Sequence, residues 1–240
     1  MPYLSYISDQ DLELEVSLIL STASIALKKS ESNFGKNVID PFSVMFEMAG
    51  FNIKVVSAWE NREKTRQSQK TLSNAFGTFH QNVLGHIQGW KNLGIGHSAD
   101  LESSDRRIIA EVKNKYNTVT GGNLSDVYDH LEKLVMPIVS KYKGYTAYYV
   151  ETIPRPKKNK SQRYDVTFTP SIKASKTTKT ANNLIRKIDG QSFYELVTGE
   201  PGALEQLYNV LPTVINHLSG FTFEPEELAR MEIYFKKAFV

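Results

Sequence analysis

Two carboxylates and an ammonium group lie close together in the run Ala99-Asp100-Leu101-Glu102-Ser103-Ser104-Asp105-Arg106-Arg107-Ile108-Ile109-Ala110-Glu111-Val112-Lys113-Asn114-Lys115. Asp100 and Glu111 offer hard oxygen ligands of the kind that suit Mg²⁺ with water in its remaining positions. Lys113 beside them could orient a water or stabilise negative charge on a phosphoryl group. That chemistry needs the three groups on one surface. A Glu-x-Lys triplet alone is equally well explained by a solvated strand face carrying a surface ion pair. Here an apolar strand carries it and an acid sits at hairpin distance.

Ile108 to Val112 is apolar and β-branched apart from Ala110 and Glu111, which predicts a strand. Alternate residues of a strand share a face, so Glu111 and Lys113 point one way and Ile108, Ala110 and Val112 face the core. With Asp105-Arg106 as a two-residue turn, residue 100 falls opposite residue 111. Directly opposed side chains have Cβ atoms about 5 Å apart, close enough to share one cation. Glu102, two residues along on the same face as Asp100, is the alternative first acid.

The elements around this hairpin read as mixed α/β. Ser8 and Asp11 form a capping box before Leu12, Val16, Ile19, Ala23 and Ala26 at helical spacing. Asp40-Pro41 is an N-cap followed by proline at the first helical position, and Gly50 can close that helix. A long helix starts near Ser57, with Arg62, Arg66 and Lys70 on one face. Gly77, Gly85 and Gly89 argue against one unbroken helix. After a loop at 120–123, Leu124 to Ile138 reads as a helix kinked at Pro137 and ended by Gly144. Tyr145 to Ile153 and Arg163 to Thr169 read as strands. Strand, helix, strand implies a crossover and a parallel pair in a mixed sheet. Helices resume near Gln191, continue through Leu204 to Val214 with Pro212 inside, and end with one opening at Glu224-Pro225-Glu226-Glu227. The expected organisation is a single domain over 1–240: a helical part at 1–56, a core at 57–170 and a second helical part at 171–240.

The chain has 240 residues and no cysteine, which excludes disulfides and thiolate metal sites. No apolar run is long enough to span a bilayer, and the start Met1-Pro2-Tyr3-Leu4-Ser5 lacks the basic residues of a secretory signal. No membrane association is expected, and the expected location is the cytoplasm of a bacterium. The net charge of +3 is modest, but between Pro154 and Lys187 ten basic residues face one acid, Asp165. Such a local excess is an electrostatic footprint for a polyanion; the alternative is a solvated loop. The five histidines show no HxxxH or HExxH spacing, so a zinc site has no support. Gly94-Ile95-Gly96 lacks the rest of a dinucleotide fingerprint and reads as a turn.

The pattern Asp100, ten intervening residues, then Glu111-Val112-Lys113 resembles the PD-(D/E)xK nuclease motif, with Ala99 in place of the motif's proline. The segments Glu63 to Leu72, Gly77-Thr78-Phe79-His80-Gln81, Glu111 to Thr118 and Phe193 to Gly199 are similar to segments of bacterial type II restriction endonucleases that cut GGNCC-type sites. They fall within residues 40 to 215, most of the chain. The resemblance implies a restriction-endonuclease-like fold with a central mixed sheet flanked by helices. It implies a Mg²⁺-dependent, site-specific deoxyribonuclease with Asp100, Glu111 and Lys113 as catalytic residues. Asp100 and Glu111 would be metal ligands, with a helix carboxylate, Glu63 in preference to Glu60, as a third. The substrate would be double-stranded DNA. Arg66, Lys70, Asn114, Lys115, Asn117, Arg155, Lys157, Lys158, Lys160 and Arg163 are the candidate DNA contacts. A palindromic or near-palindromic site implies a homodimer. A cognate DNA methyltransferase in the same host is implied, without a stable complex. Two other readings stay open: a structure-specific repair or recombination nuclease, and a non-catalytic DNA-binding protein on a nuclease scaffold.

Overall fold

The structure, a computed structural model, describes residues 1–36, 38–119, 123–157, 161–172 and 175–239. In chain order its helices and strands are α1 (Asp9–Ser32), α2 (Pro41–Gly50), α3 (Val56–Gly85), β1 (Lys91–Asn92), β2 (Leu101–Ser103), β3 (Ile108–Lys115), α4 (Leu124–Val135), β4 (Thr146–Ile153), β5 (Asp165–Thr167), β6 (Ser171–Ile172), β7 (Thr177–Thr178), β8 (Ile185–Asp189), α5 (Gly190–Thr198), α6 (Ala203–Ser219) and α7 (Pro225–Phe239). The expected α/β class with a mixed central sheet flanked by helices is what forms. Contacts divide the chain into two compact units, Met1–Glu15 with His80–Val240, and Val16–Phe79. Helices α1 and α3 contribute residues to both.

The first unit holds a six-stranded sheet in the order β1-β2-β3-β4-β8-β5. Strands β3, β4 and β8 run parallel, with antiparallel neighbours at both edges. The parallel pair β3–β4 with α4 between them is the predicted crossover. Parallel strands need both faces covered, and they are. Tyr128, Leu131 and Val135 of α4 pack with Ile109, Ala147, Tyr149 and Ile185 on one face. On the other, Phe193 of α5 meets Tyr148 at 5.9 Å and Trp90 at 5.7 Å between ring centroids. Ile109 and Ala110 are therefore both fully buried.

The β2–β3 hairpin has the expected register, with Leu101 paired to Ala110 and Ser103 to Ile108. Its turn is closed by the Arg107 amide donating to Ser104 O at 3.2 Å. Arg107 takes φ of 54°, a left-handed conformation uncommon for a residue with a side chain. It is held there by a guanidinium bond to Lys143 O at 2.7 Å and by stacking on Tyr145 at 5.4 Å.

Local signals fix several helix ends. Ser8 Oγ accepts the Asp11 amide at 3.1 Å, and Asp40 accepts that of Phe42 at 2.9 Å. Two expectations are corrected. α3 continues unbroken through Gly77 and stops at Gly85, where an added Cβ would lie 2.6 Å from Asn92 Cβ. α4 is not kinked at Pro137; it ends at Val135 with Met136 as its C-cap, since proline has no amide to carry the helical bonding on. A third element, β8, lies where no strand was predicted. The expected loop at 120–123 falls largely outside the described residues.

In the second unit, Trp59 is buried, donates to Glu47 at 2.9 Å and packs against Phe34 at 6.3 Å. None of the residues of α2 is buried, and Phe42, Met45 and Phe46 are exposed. Among the described residues no helix is long and apolar enough to cross a membrane.

One tight approach is testable. A Cβ on Gly190, the first residue of α5, would sit 2.2 Å from the Thr152 carbonyl oxygen of β4. Backbone cannot yield there as a flexible side chain would. Gly190→Ala should destabilise the protein by about 1–3 kcal/mol, the usual cost of overpacking, read as a lowered Tm by circular dichroism. An unchanged Tm would mean that β4 and α5 separate easily.

Candidate active site

Asp100 lies just beyond the last paired residues of the hairpin. Its amide donates to Ala110 O at 3.0 Å, and its Oδ2 accepts the Val112 amide at 2.7 Å. The carboxylate thus satisfies a backbone donor of β3, and Asp100 is oriented by the sheet itself. Glu111 and Lys113 share a face of β3, and their side chains form an ion pair of 2.6 Å. Both are only partly exposed, at 20% and 25%.

Burial pushes the Asp100 carboxyl up to about 6, and the neighbouring Glu111 charge adds to the rise. The Val112 amide, the nearby Lys113 and the Gln81 side chain oppose it without cancelling it. A carboxylate pair desolvated in this way is a favourable place for a divalent cation, since the ion relieves both burial and repulsion. Val112 engages only one oxygen of Asp100, and Lys113 only one of Glu111. The donor set fits Mg²⁺: hard oxygens, each carboxylate with an oxygen that neither Val112 nor Lys113 engages. Among the described residues no group of three or more His, Asp or Glu side chains is placed to hold a metal.

Glu102 is differently occupied. Its carboxylate accepts from Ser104 Oγ at 2.7 Å and Tyr142 Oη at 3.1 Å, and it pairs with Lys141 at 3.5 Å. Those partners hold its pKa below the ordinary value against the opposing effect of burial. Glu63, in the second unit, accepts two bonds of 2.6 Å from the Arg66 guanidinium and one of 3.0 Å from Gln67. That is the helix-surface pairing expected of an ordinary glutamate.

The candidate DNA contacts are spread more widely. Asn114 is half-buried and Lys115 exposed at the end of β3. Asn117 and Arg155 line a cavity of about 390 Å³ with Tyr116, Glu151 and Lys187. The Lys157 ammonium lies 4.9 Å from the Tyr164 ring centroid. Arg163 forms an ion pair with Glu195 of α5. Arg66 and Lys70 are exposed on α3. Lys158 and Lys160 lie outside the described residues. The basic stretch is also less loop-like than expected: Lys179 pairs with Asp129, Arg186 with Asp165 and Lys187 with Glu151.

Glu151 and Lys187 were not singled out from the sequence. A signal existed for Glu151: it is a lone acid in the otherwise uncharged run Ala147 to Ile153, and such an acid is rarely buried without a partner. Lys187 was hidden because Arg186-Lys187 interrupts the apolar pattern of β8.

The profile of the Eco47II restriction endonuclease family matches residues 4–219. The chain belongs to that family. It is 51% identical to the type II restriction enzyme Eco47II of Escherichia coli over 218 residues, 91% of this chain and 89% of that protein. It is 32% identical to the type II restriction enzyme Sau96I of Staphylococcus aureus over 212 residues, 87% of this chain and 78% of that one. No solved structure matches significantly. The resemblance noted from Glu63 to Gly199 is thus part of a likeness covering nearly the whole chain.

The raised Asp100 pKa predicts a pH effect on stability. A carboxyl whose pKa rises on folding stabilises the fold fully below its unfolded value, near 4, and loses that contribution as the pH climbs through about 6. Asp100→Asn removes the charge and keeps an oxygen for the Val112 amide. Without divalent cations the variant should be more stable than wild type at pH 8, by on the order of 1–3 kcal/mol. The difference should vanish below about pH 4. Urea unfolding at the two pH values decides it, and equal stability at pH 8 would show that Asp100 carries no desolvation penalty.

Proposed function

We propose that this chain is a Mg²⁺-dependent type II restriction endonuclease that hydrolyses phosphodiester bonds of duplex DNA. The observation that carries the proposal is the pairing of Asp100 with Glu111 beside Lys113, in a member of the Eco47II family. The site would be short and palindromic or near-palindromic, of GGNCC type, and the enzyme a homodimer so that two-fold protein symmetry meets two-fold DNA symmetry. It would work in the cytoplasm of a bacterium, with a methyltransferase protecting the host's own sites.

Asp100 and Glu111 would hold the ion through the oxygens that Val112 and Lys113 leave available. Bound there, Mg²⁺ supplies a Lewis acid that makes water a better nucleophile at neutral pH and offsets phosphate charge. Lys113 has three N–H donors and gives one to Glu111. The others would orient the attacking water or stabilise the developing oxyanion. Gln81, whose side chain donates to Val112 O at 3.3 Å, braces β3 between Glu111 and Lys113. The occupied carboxylate of Glu102 supports Asp100 as the first acid. Glu63, whose oxygens Arg66 and Gln67 engage, remains a proposed third carboxylate. Asn114, Lys115, Asn117, Arg155, Lys157, Lys158, Lys160 and Arg163, with Arg66 and Lys70, remain the proposed phosphate and base contacts.

Digestion of plasmid DNA with Mg²⁺ tests the reading. Wild type should give discrete fragments from GGNCC-type sites. Asp100→Ala and Glu111→Ala should abolish cutting while specific DNA binding, measured without divalent cations, stays largely in place, and Glu102→Ala should still cut. Cleavage lost in Glu102→Ala but kept in Asp100→Ala would reassign the first acid.

Lys113 should matter to the rate far more than to affinity. Lys113→Ala should lower the single-turnover rate by two or more orders of magnitude, roughly the effect of losing one preorganised electrostatic group. Lys113→Arg should not restore it, since a planar guanidinium places its charge differently. A near wild-type rate for Lys113→Ala would remove this residue from the mechanism.

A further inference from the structure

The pairing of β3, β4 and β8 sets side chains of the three strands in rows across one sheet face. Glu111, Tyr149 and Lys187 fall in one row, and Lys113, Glu151 and Asp189 in the next. Lys187 is two strand spacings from Glu111, about 9.5 Å at the backbone. It is therefore beside the proposed metal ligands without being one.

Glu151 is 2% exposed, and both of its oxygens are engaged. Oε1 meets the Lys187 ammonium at 2.8 Å, and Oε2 accepts from Tyr164 Oη at 2.5 Å. Each oxygen of Glu151 thus already has a donor, one of them the Lys187 ammonium. Lys187 is in the opposite condition. Its side chain is 27% exposed, and Glu151 is its one ion-pair partner among the described residues. The rings of Tyr149 and Tyr164 flank its ammonium at 6.0 and 5.7 Å. They limit where it can swing and leave donors facing the cavity.

That cavity, about 390 Å³, is lined by Lys187 and Arg155 with Tyr116, Asn117 and the apolar Val119 and Leu124. Two cations, a hydroxyl and an amide are what a phosphate diester recognises. The acid in the lining, Glu151, has both oxygens turned to its own partners. A buried Lys–Glu pair is seldom more stabilising than an apolar pair of like size. Stability alone therefore gives little reason for this one, whereas display of a fixed ammonium does.

We propose that Lys187 binds a DNA phosphate next to the one that is cut, and that Glu151 is the residue that positions it. The inference rests on the reading of the chain as a DNA nuclease and adds a second anchoring point to it.

The test uses duplexes carrying one neutral methylphosphonate at a time around the cut site, bound by the full-length protein in Ca²⁺. Wild type should lose affinity about tenfold at one flanking phosphate, the worth of one charge-assisted hydrogen bond. Lys187→Gln should bind unmodified DNA about as weakly and be indifferent to that methylphosphonate, while keeping its sensitivity elsewhere. Its log–log salt slope should fall by about 0.9. Glu151→Gln should blunt that sensitivity and leave part of it, since the ammonium remains but is no longer held. Because Lys187→Gln strands a buried carboxylate, the Glu151→Gln, Lys187→Gln double variant is measured beside it. It should fold, by its unfolding transition, and show the same indifference. A folded double variant with the wild-type interference pattern and salt slope overturns the inference. Wild type that cuts GGNCC-type DNA in the same series keeps the nuclease reading in that event. Wild type that cuts no duplex with Mg²⁺ defeats the nuclease reading itself.

Discussion

The site is organised around one unfavourable contact, two carboxylates held side by side where water is scarce. Asp100 and Glu111 would separate on a flexible surface. Here neither can. Asp100 is bonded through its own side chain to the backbone of the strand that carries Glu111, and that strand is packed on both faces. The strain appears as an Asp100 carboxyl that stays protonated up to about pH 6. The Val112 amide, Lys113 and the Gln81 side chain relieve it only in part.

The same packing explains where the other charges lie. Covered parallel strands leave few places for polar groups, chiefly near the ends where the chain leaves the sheet. Lys113, Glu151 and Asp189 share a row near the carboxyl ends of their strands. Each charge there is tied to a structural role. Asp189 caps α5 through the Ser192 amide at 3.0 Å and accepts the Tyr164 amide at 2.6 Å. Glu151 binds Lys187 and Tyr164. Helix capping, sheet edge and the Glu151–Lys187 pair are thus one continuous network, and Tyr164 joins its two acids.

Much of this was legible in the sequence where a local rule was strong. The β2–β3 register followed from strand alternation and a two-residue turn, and the ends of α1 and α2 from capping residues. The crossover from β3 to β4 followed from the apolar periods on either side of it. Other features were settled by contacts that no local pattern encodes. Gly77 looked like a break and is simply carried within a long helix. Pro137 looked like a kink and instead lies beyond the helix end. β8 was invisible because Arg186 and Lys187 occupy its centre, and their partners, Asp165 and Glu151, lie on neighbouring strands. A charge that is satisfied only in three dimensions reads in one dimension as solvent-exposed. For the same reason the Glu151–Lys187 pair went unseen.

The connections between the site residues differ in how much change they can absorb. Lys113 and Glu151 are separated by α4 and the segments either side of it, and residues added there would leave β3 and β4 paired as they are. Asp100 and Glu111 are joined by a tight hairpin whose Arg107 is already locked in an unusual conformation. One residue inserted or removed in that turn would carry every side chain on β2 to the opposite face and part the two acids. Among homologous enzymes, lengths should therefore drift freely through the crossover while the ten residues between the acids stay constant in number.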